Sequence, residues 1–238
     1  MNALILRWDA PLMSFGTVQV DAAGPTGRFP FTSQITGLLA NALGWQHRDT
    51  DRLQDLQAHL IYAARWDHAG SLERDYQTVD LYEQGNIAWT TRGVPETRTQ
   101  DTTVERIRFY WADGLLTVAL HVVPSPDRPT LDALQQALAH PARPLFLGRK
   151  ACLPARPLLD PHMPQRSGPD ILTILRTTSI WTRDGQLTTG PRAVSWPAET
   201  PGPPAVLMTV ADQRAWRLQV HTGEAQRAVA YVEGLADD

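Results

Sequence analysis

The chain has 238 residues with a formal net charge of −3, 42% hydrophobic residues and 20% charged residues. This composition is typical of a folded globular protein, and it excludes both a disordered chain and a protein that coats nucleic acid over its whole surface. No apolar run approaches the roughly 20 residues that span a bilayer, and the N-terminus lacks a signal-peptide pattern, so we expect a cytoplasmic protein with no membrane partner. The single cysteine, Cys152, allows neither an internal disulfide nor a typical structural zinc site, and we expect no metal or other cofactor.

The first part of the chain has the pattern of alternating strands and helices. Short apolar runs predict strands at residues 3–8, 60–66, 115–123 and 145–147. Apolar spacing and capping residues predict helices that begin at Thr32 or Ser33, at Thr50 and at Thr130. With the region 67–113 set aside, the order is β-α-β-β-α-β, which is the order of the ferredoxin-like fold.

Residues 67–113 are polar, with few periodic signals and with aromatic residues spaced among charges. A structureless connection of this length is uncommon in a compact domain. The region is therefore either a mobile functional insertion or a protruding hairpin, and we favour the hairpin.

After Pro164 the pattern changes to short strands and turns. Strands are predicted at residues 171–182, 186–189, 205–210, 215–221 and 228–232, with a proline-rich loop at 197–204. The sequence therefore predicts an α+β protein in two parts. Residues 1–164 form a ferredoxin-like domain with an insertion at about 67–113, and residues 165–238 form a β-rich C-terminal part.

Two turns combine glycine with arginine, GPTGRFP at residues 24–30 and LGRK at residues 147–150. Glycine lets a backbone approach a bulky anion, and the arginine fork can bind phosphate through two hydrogen bonds. Residues 133–159 contain Arg143, Arg149, Lys150 and Arg156 but no acidic residue. The two turns predict a phosphodiester backbone as the ligand, whereas the spacing of a Walker A loop is absent.

The first turn leads into the predicted helix at Thr32 and Ser33. A phosphate could bind the N-terminus of this helix while a base stacks on Phe29 or Phe31. The alternative is that these rings belong to the core and that Thr32 only caps the helix. None of the seven histidines has a partner at the spacing of a metal site or of a catalytic pair.

Several motifs, taken in chain order, resemble the CasD family of type I-E CRISPR systems, which belongs to the RAMP superfamily. They are LILR at 4–7, APLMSFG at 10–16, GPTGRFP at 24–30, TGLL at 36–39, RDT at 48–50, DYQTV at 75–79, TVAL at 117–120 and FLGRKAC at 146–152. The resemblance covers roughly the first 160 residues. This chain departs from the family pattern at Phe15, where tryptophan is common, and at Lys150, where arginine is common.

The resemblance implies an RRM-like ferredoxin core with an inserted β-hairpin thumb. It also implies a non-catalytic subunit that caps the backbone of the Cascade surveillance complex. This subunit would hold the 5′ handle of the CRISPR RNA, contact the CasC and CasA subunits, and meet target DNA only through the guide duplex. The RNA-binding residues would be Thr26, Gly27, Arg28, Phe29, Thr32, Ser33, Arg108, Gly148, Arg149 and Lys150.

Two other functions remain open at the level of sequence. Related CasD-like proteins act as metal-independent endoribonucleases on repeat RNA, and here Lys150 with Tyr62 or Tyr76 would have to supply that chemistry. A pure protein scaffold would instead use the arginines in salt bridges.

Overall fold

A computed structural model describes residues 1–17, 22–80, 82–83, 87–89, 93–97, 103–183, 185 and 190–232. The four helices in these residues are α1 (Thr32–Ala42), α2 (Thr50–Ala58), α3 (Leu131–Ala139) and α4 (Ile171–Arg176). The strands are β1 (Asn2–Asp9), β2 (Leu12–Met13), β3 (Ala23–Gly24), β4 (Leu60–His68), β5 (Ser71–Asp80), β6 (Tyr82–Glu83), β7 (Ile87–Trp89), β8 (Pro95–Thr97), β9 (Thr103–Ala112), β10 (Leu115–Val122), β11 (Gln165–Ser167), β12 (Arg192–Pro197), β13 (Val206–Ala215) and β14 (Val220–Val232).

One seven-stranded antiparallel sheet forms the centre of the molecule, in the order β11-β1-β10-β4-β12-β14-β13. Its first four strands reproduce the strand order of a ferredoxin-like fold, with β11 as the fourth strand. The strand predicted at residues 145–147 is wrong. Leu147 forms a turn instead, because its amide donates to the Cys152 carbonyl at 2.8 Å and its carbonyl accepts from the Ser14 amide at 3.0 Å.

The C-terminal strands β12, β14 and β13 extend the same sheet beyond β4. The strand predicted from residue 171 is wrong, since residues 171–176 form α4. Asp170 caps this helix by accepting from the Thr173 amide at 2.8 Å, and four apolar side chains of the helix are buried. The strand predicted at 186–189 lies outside the described residues. The boundary predicted after residue 164 stays a prediction.

The two faces of the sheet carry different helices. Alternate side chains of β1 point to opposite faces, so Leu4, Leu6 and Trp8 pack with α1, α2 and α3, whereas Ala3 and Ile5 pack with α4. Each large apolar side chain that is fully buried in these layers contributes about 1.5–3 kcal/mol of hydrophobic stabilisation. The α+β class predicted from sequence is confirmed.

The polar insertion contains a long antiparallel pair, β5 with β9, whose register runs from Ser71 opposite Ala112 to Asp80 opposite Thr103. Nine of the ten β5 residues are exposed, so this pair projects from the sheet. Its base is held by β2 and β3, which both pair with β9. Within the described residues, no helix is long and apolar enough to cross a membrane.

Candidate functional site

The first glycine-arginine turn is held by hydrogen bonds from Phe15 and from two tryptophan side chains of β4 and β9. Phe15 binds it twice: its amide donates to the Thr26 hydroxyl at 2.8 Å, and its carbonyl accepts from the Gly27 amide at 2.9 Å. The indole of Trp111 donates to the Gly27 carbonyl at 2.7 Å, and that of Trp66 donates to the Arg28 carbonyl at 2.9 Å. The backbone of this loop is therefore held in one conformation.

The second turn approaches Ser14, just after β2, so closely that only glycine fits. Gly148 has φ +116°, and a Cβ atom there would lie 1.8 Å from the Ser14 carbonyl oxygen. Arg149 then joins the two turns directly. Its guanidinium donates to the Gly24 carbonyl at 2.8 Å and to the Phe109 carbonyl at 2.9 Å, and it lies 4.9 Å from the centroid of the Tyr110 ring.

A cavity of about 330 Å³ opens between the two turns, and we call it the turn cavity. It is lined by Ser14, Phe15, Gly16, Thr17, Gly24, Pro25, Phe31, Ser33, Gln34, Gly148, Arg149, Arg214 and His221. None of these lining residues is acidic, and two of them are arginines. Of the residues predicted to bind RNA, the structure brings Ser33, Gly148 and Arg149 to this cavity. Its lining has two guanidinium groups, three hydroxyl side chains and an imidazole.

The start of α1 is occupied by a carboxylate from the protein itself. Asp212 of β13 is fully buried, and it accepts from the Thr32 hydroxyl at 2.5 Å and from the Ser33 amide at 3.4 Å. Burial raises the pKa of Asp212, against the opposing effect of these hydrogen bonds and of Arg227. The prediction that the N-terminus of this helix is open to phosphate is therefore corrected, because Asp212 already accepts from its first residues.

Two side chains from the C-terminal hairpin complete the turn cavity. The Nε2 atom of His221 lies 3.4 Å from the Ser33 hydroxyl, and burial together with the charge of Arg214 lowers the pKa of the imidazole. The Arg214 guanidinium donates to the Gln219 side chain at 2.7 Å and lies 5.1 Å from the Trp216 ring centroid. Its Nε atom is buried and has no hydrogen-bond partner within the described part of the chain.

Sequence reasoning missed Asp212, Arg214 and His221. They stand some 180 positions after Ser33 in the chain. Only the pairing of β13 with β14, and the packing of β13 on α1, brings them to the turns. No local spacing or motif in the sequence carries that information.

The remaining predicted residues lie around the turn cavity. The Phe29 ring is 7% exposed and packs in the core, which favours the core alternative for this ring, and its use as a stacking surface stays a prediction. Gly27 and Arg28 line a second, mostly apolar cavity of about 280 Å³ beside the first, where Arg28 lies over the Tyr231 ring and donates to its hydroxyl. Lys150 is exposed next to Arg149, and Arg108 donates to the Gln77 side chain at 3.3 Å.

Neither tyrosine considered for RNA cleavage lies at the turn cavity. Tyr62 is buried, burial raises its pKa, and its hydroxyl donates to the Pro30 carbonyl at 2.6 Å. Tyr76 lies on β5, where its hydroxyl donates to Glu105 at 2.7 Å and this bond raises its pKa. Among the described residues no group of three His, Cys, Asp or Glu side chains could hold a metal ion.

The family model for the CRISPR-associated protein (Cas_Cas5) matches residues 3–227, which is nearly the whole chain. The chain belongs to this Cas5 family. The CRISPR system Cascade subunit CasD of Escherichia coli strain K12 is 30% identical to it over 155 residues, covering 65% of this chain and 68% of the relative. The family resemblance predicted from the sequence motifs is confirmed.

Two solved structures share the fold of this Cas5 protein. A chain of a CRISPR RNA-guided surveillance complex superposes with a TM-score of 0.70 at 22% identity, covering 98% of this chain and 90% of that chain. A crystal structure of a Cas protein superposes with a TM-score of 0.63 at 23% identity, covering 97% and 94%. The chain therefore shares its α+β fold with these two proteins.

Proposed function

We propose that this Cas5 protein is a non-catalytic, cytoplasmic RNA-binding subunit of a Cascade surveillance complex. It holds the 5′ handle of the CRISPR RNA and caps the backbone, where it contacts CasC-like and CasA-like subunits. It supports recognition of target DNA through the guide duplex. The proposal rests on the family, on the CasD relative and, above all, on the geometry of the turn cavity.

The observation that carries the RNA-binding part is that two glycine-arginine turns, far apart in sequence, share one cavity without a carboxylate in its lining. An anion in the turn cavity meets Arg149 and Arg214, with Lys150 exposed beside them. Phosphate contacts of this kind supply most of the sequence-independent affinity for nucleic acid. Hydrogen bonds hold the loop at residues 24–30 in place, and a loop that is already ordered loses less conformational entropy when RNA binds.

The same geometry favours holding RNA over cutting it. Cleavage at a 2′-hydroxyl needs a general base and a general acid close to the scissile phosphate. In the described lining of the turn cavity, His221 is the one histidine that could act as a general acid or base. Tyr62 and Tyr76, the tyrosines considered for this chemistry, lie elsewhere. Endoribonucleolytic processing of repeat RNA is therefore the second candidate.

The proposal is tested by the affinity of the full chain for labelled RNA that carries the 5′ repeat-derived part of the CRISPR RNA. Lys150→Ala removes an exposed charge, and we expect binding about tenfold weaker with a shallower salt dependence. Lys150→Arg is the matched control, because it keeps the charge, and we expect it to bind within about twofold of the wild type. If neither Lys150→Ala nor Arg28→Ala weakens the affinity for this RNA, the proposal is wrong.

Incubation of the purified chain with complete repeat RNA separates the two functions. We expect intact RNA after prolonged incubation with or without chelator. A single discrete cut that His221→Ala abolishes would replace the proposed role with that of a processing enzyme.

A further inference from the structure

The turn cavity contains hydrogen-bond acceptors that a phosphate cannot use. Besides two arginines, its lining includes Ser33 and Gln34 from the start of α1 and His221 from β14. The oxygens of a phosphodiester accept hydrogen bonds and donate none. An acceptor atom that faces a bound strand must therefore be satisfied by water or by a donor on another part of the ligand.

Gln34 carries one acceptor that the protein leaves unused. Its side-chain nitrogen donates to the Ser14 carbonyl at 3.3 Å, and this bond orients the amide group. Its Oε1 atom is buried and accepts no hydrogen bond within the described part of the chain. Because a buried acceptor without a partner is costly, a donor brought by a ligand is favoured here.

Ser33 and His221 supply a second acceptor. Nε2 of His221 lies 3.4 Å from the Ser33 hydroxyl, which is longer than most hydrogen bonds, so the two groups hold each other weakly. Burial and the charge of Arg214 lower the pKa of the imidazole, and the ring is therefore uncharged at neutral pH. In either tautomer of the neutral ring, the serine oxygen can still accept one more hydrogen bond.

The register of the C-terminal hairpin places this pair beside a cation. Arg214 and His221 are direct partners across β13 and β14, so their side chains leave the sheet on the same face with Cβ atoms roughly 5 Å apart. The Nε atom of Arg214 is buried and has no partner among the described residues. A phosphate bound by Arg214 therefore brings its own sugar close to His221.

We propose that Ser33 and His221, with the neighbouring Gln34, bind the 2′-hydroxyl of a ribose and make the turn cavity selective for RNA over DNA, an inference that rests on the proposed function. The 2′-hydroxyl both donates and accepts, which matches a hydroxyl-imidazole pair, and it is the group that distinguishes RNA from DNA. The arginines cannot make this distinction, because both backbones carry the same phosphate charge. The N–H donors of a base are a poorer match, since the sugar separates each base from its phosphate.

The first test compares labelled 5′ repeat-derived RNA with single-stranded DNA of the same sequence on the full chain. We expect the wild type to bind the RNA at least about tenfold more tightly. Ser33→Ala and His221→Ala should each weaken RNA binding about three- to tenfold and leave DNA binding within about twofold. His162 is exposed and does not line the turn cavity, so His162→Asn is the control and should change neither affinity.

A scan of single 2′-deoxy substitutions in the RNA then locates the contact. In the wild type, we expect one position or two adjacent ones to lose about three- to tenfold in affinity. The same substitution should have no further effect in Ser33→Ala or His221→Ala, because the protein partner of the hydroxyl is already absent. A change of base at that position, with the ribose kept, should alter the affinity less than about twofold. Circular dichroism and the thermal midpoint of each variant check that the fold is intact.

Failure of this inference is distinguishable from failure of the proposed function. If Lys150→Ala weakens RNA binding while Ser33→Ala and His221→Ala keep the wild-type ratio of RNA to DNA affinity, the cavity binds phosphate alone and the inference is overturned. If the 2′-deoxy effects persist in both variants, the hydroxyl is bound elsewhere, and if only base changes depend on His221, the pair binds a base; either result overturns it. If no variant of Ser33, His221 or Lys150 changes RNA affinity, both proposals fall.

Discussion

The two faces of the central sheet use arginine in opposite ways. On the α4 face, Arg7 and Arg65 are each 2% exposed and converge on Asp67, which accepts from Arg65 at 2.6 Å and from Thr117 at 2.5 Å. Arg7 also donates to Asp160 at 2.7 Å. On the α1 face, Arg149 and Arg214 line the turn cavity, whose lining has no carboxylate. We call the first group, Arg7, Arg65, Asp67 and Asp160, the ionic cluster.

The difference shows that an arginine's role follows from the acceptors around it. In the ionic cluster, burial lowers the pKa of Arg7, while Asp67 and Asp160 counteract that effect and keep the guanidinium charged. Each charge there is satisfied inside the protein, and the cluster fastens the 178–181 segment to the sheet through the Ser179 carbonyl and the Trp181 amide. The described lining of the turn cavity contains no carboxylate, so an external anion can pair with the guanidinium groups of Arg149 and Arg214.

The largest effect that tests this comparison is expected at the centre of the ionic cluster. Asp67→Ala removes the carboxylate that pairs with buried Arg65, while Arg7 keeps its ion pair with Asp160, and it should lower the free energy of unfolding by about 3–5 kcal/mol in urea titration. The exposed Asp127→Ala serves as the control and should stay within about 0.5 kcal/mol of the wild type. A loss below about 1 kcal/mol for Asp67→Ala would mean that the cluster is not structural.

The second effect concerns the backbone contact that forms the turn cavity. Gly148→Ala combines a positive φ with a collision against the Ser14 carbonyl, and we expect a loss of about 3 kcal/mol or more. Gly93 also has a positive φ, +75°, but no described residue has an atom within 4 Å of its Cβ position. Gly93→Ala should therefore cost only about 1 kcal/mol, and equal losses in thermal unfolding would contradict the close approach.

A smaller effect is expected at the carboxylate that joins the two halves of the site. Asp212→Ala leaves the Thr32 hydroxyl and the Ser33 amide without their acceptor, at a cost of about 1–3 kcal/mol. Asp212→Asn keeps one acceptor oxygen and should recover part of this loss. If both variants unfold at the wild-type urea concentration, Asp212 does not hold β13 to α1.

The smallest effect is a pH dependence from His221. Its pKa in the folded protein lies below its ordinary value of 6.5, so the unfolded chain binds more protons in the interval between the two values. Stability contributed by the neutral imidazole is therefore lost as pH falls through 6.5 towards the lowered pKa. Arg214, Asp212 and Ser33 face this ring. As the pH falls, the wild type should lose more unfolding free energy than His221→Asn does. If the difference between the two proteins stays constant with pH, the lowered pKa of His221 is contradicted.

The elements that depend on local pattern could be predicted from sequence. Apolar spacing located α1, and the continuous apolar run located β10. Residues 145–147 and residues 171–176 were both wrongly predicted to form strands. A short apolar run is compatible with a strand, a helix or a buried turn. Here Asp170 capping and the Ser14–Leu147 contact decide the outcome.

Only the part of the candidate site formed by the two glycine-arginine turns could be predicted from the sequence. The two turns carry glycine and arginine within a few residues of each other, so their chemistry is visible in the sequence. Arg214 and His221 reach the same cavity, and Asp212 reaches the start of α1, through the register of β13 with β14, which no local pattern encodes. The burial of Phe29 was equally invisible, because core and stacking aromatics have the same composition.

The salt dependence of RNA affinity for two matched arginine variants tests the central claim most directly. Arg214 lines the turn cavity, whereas Arg183, whose side chain is 34% exposed, pairs with Asp9 and Asp113 on the other face of the sheet. We predict that Arg214→Ala weakens binding of 5′ repeat-derived RNA about tenfold and reduces the salt slope by about one, while Arg183→Ala leaves both unchanged. Equal effects of the two substitutions, or an effect of Arg183→Ala alone, would contradict the account.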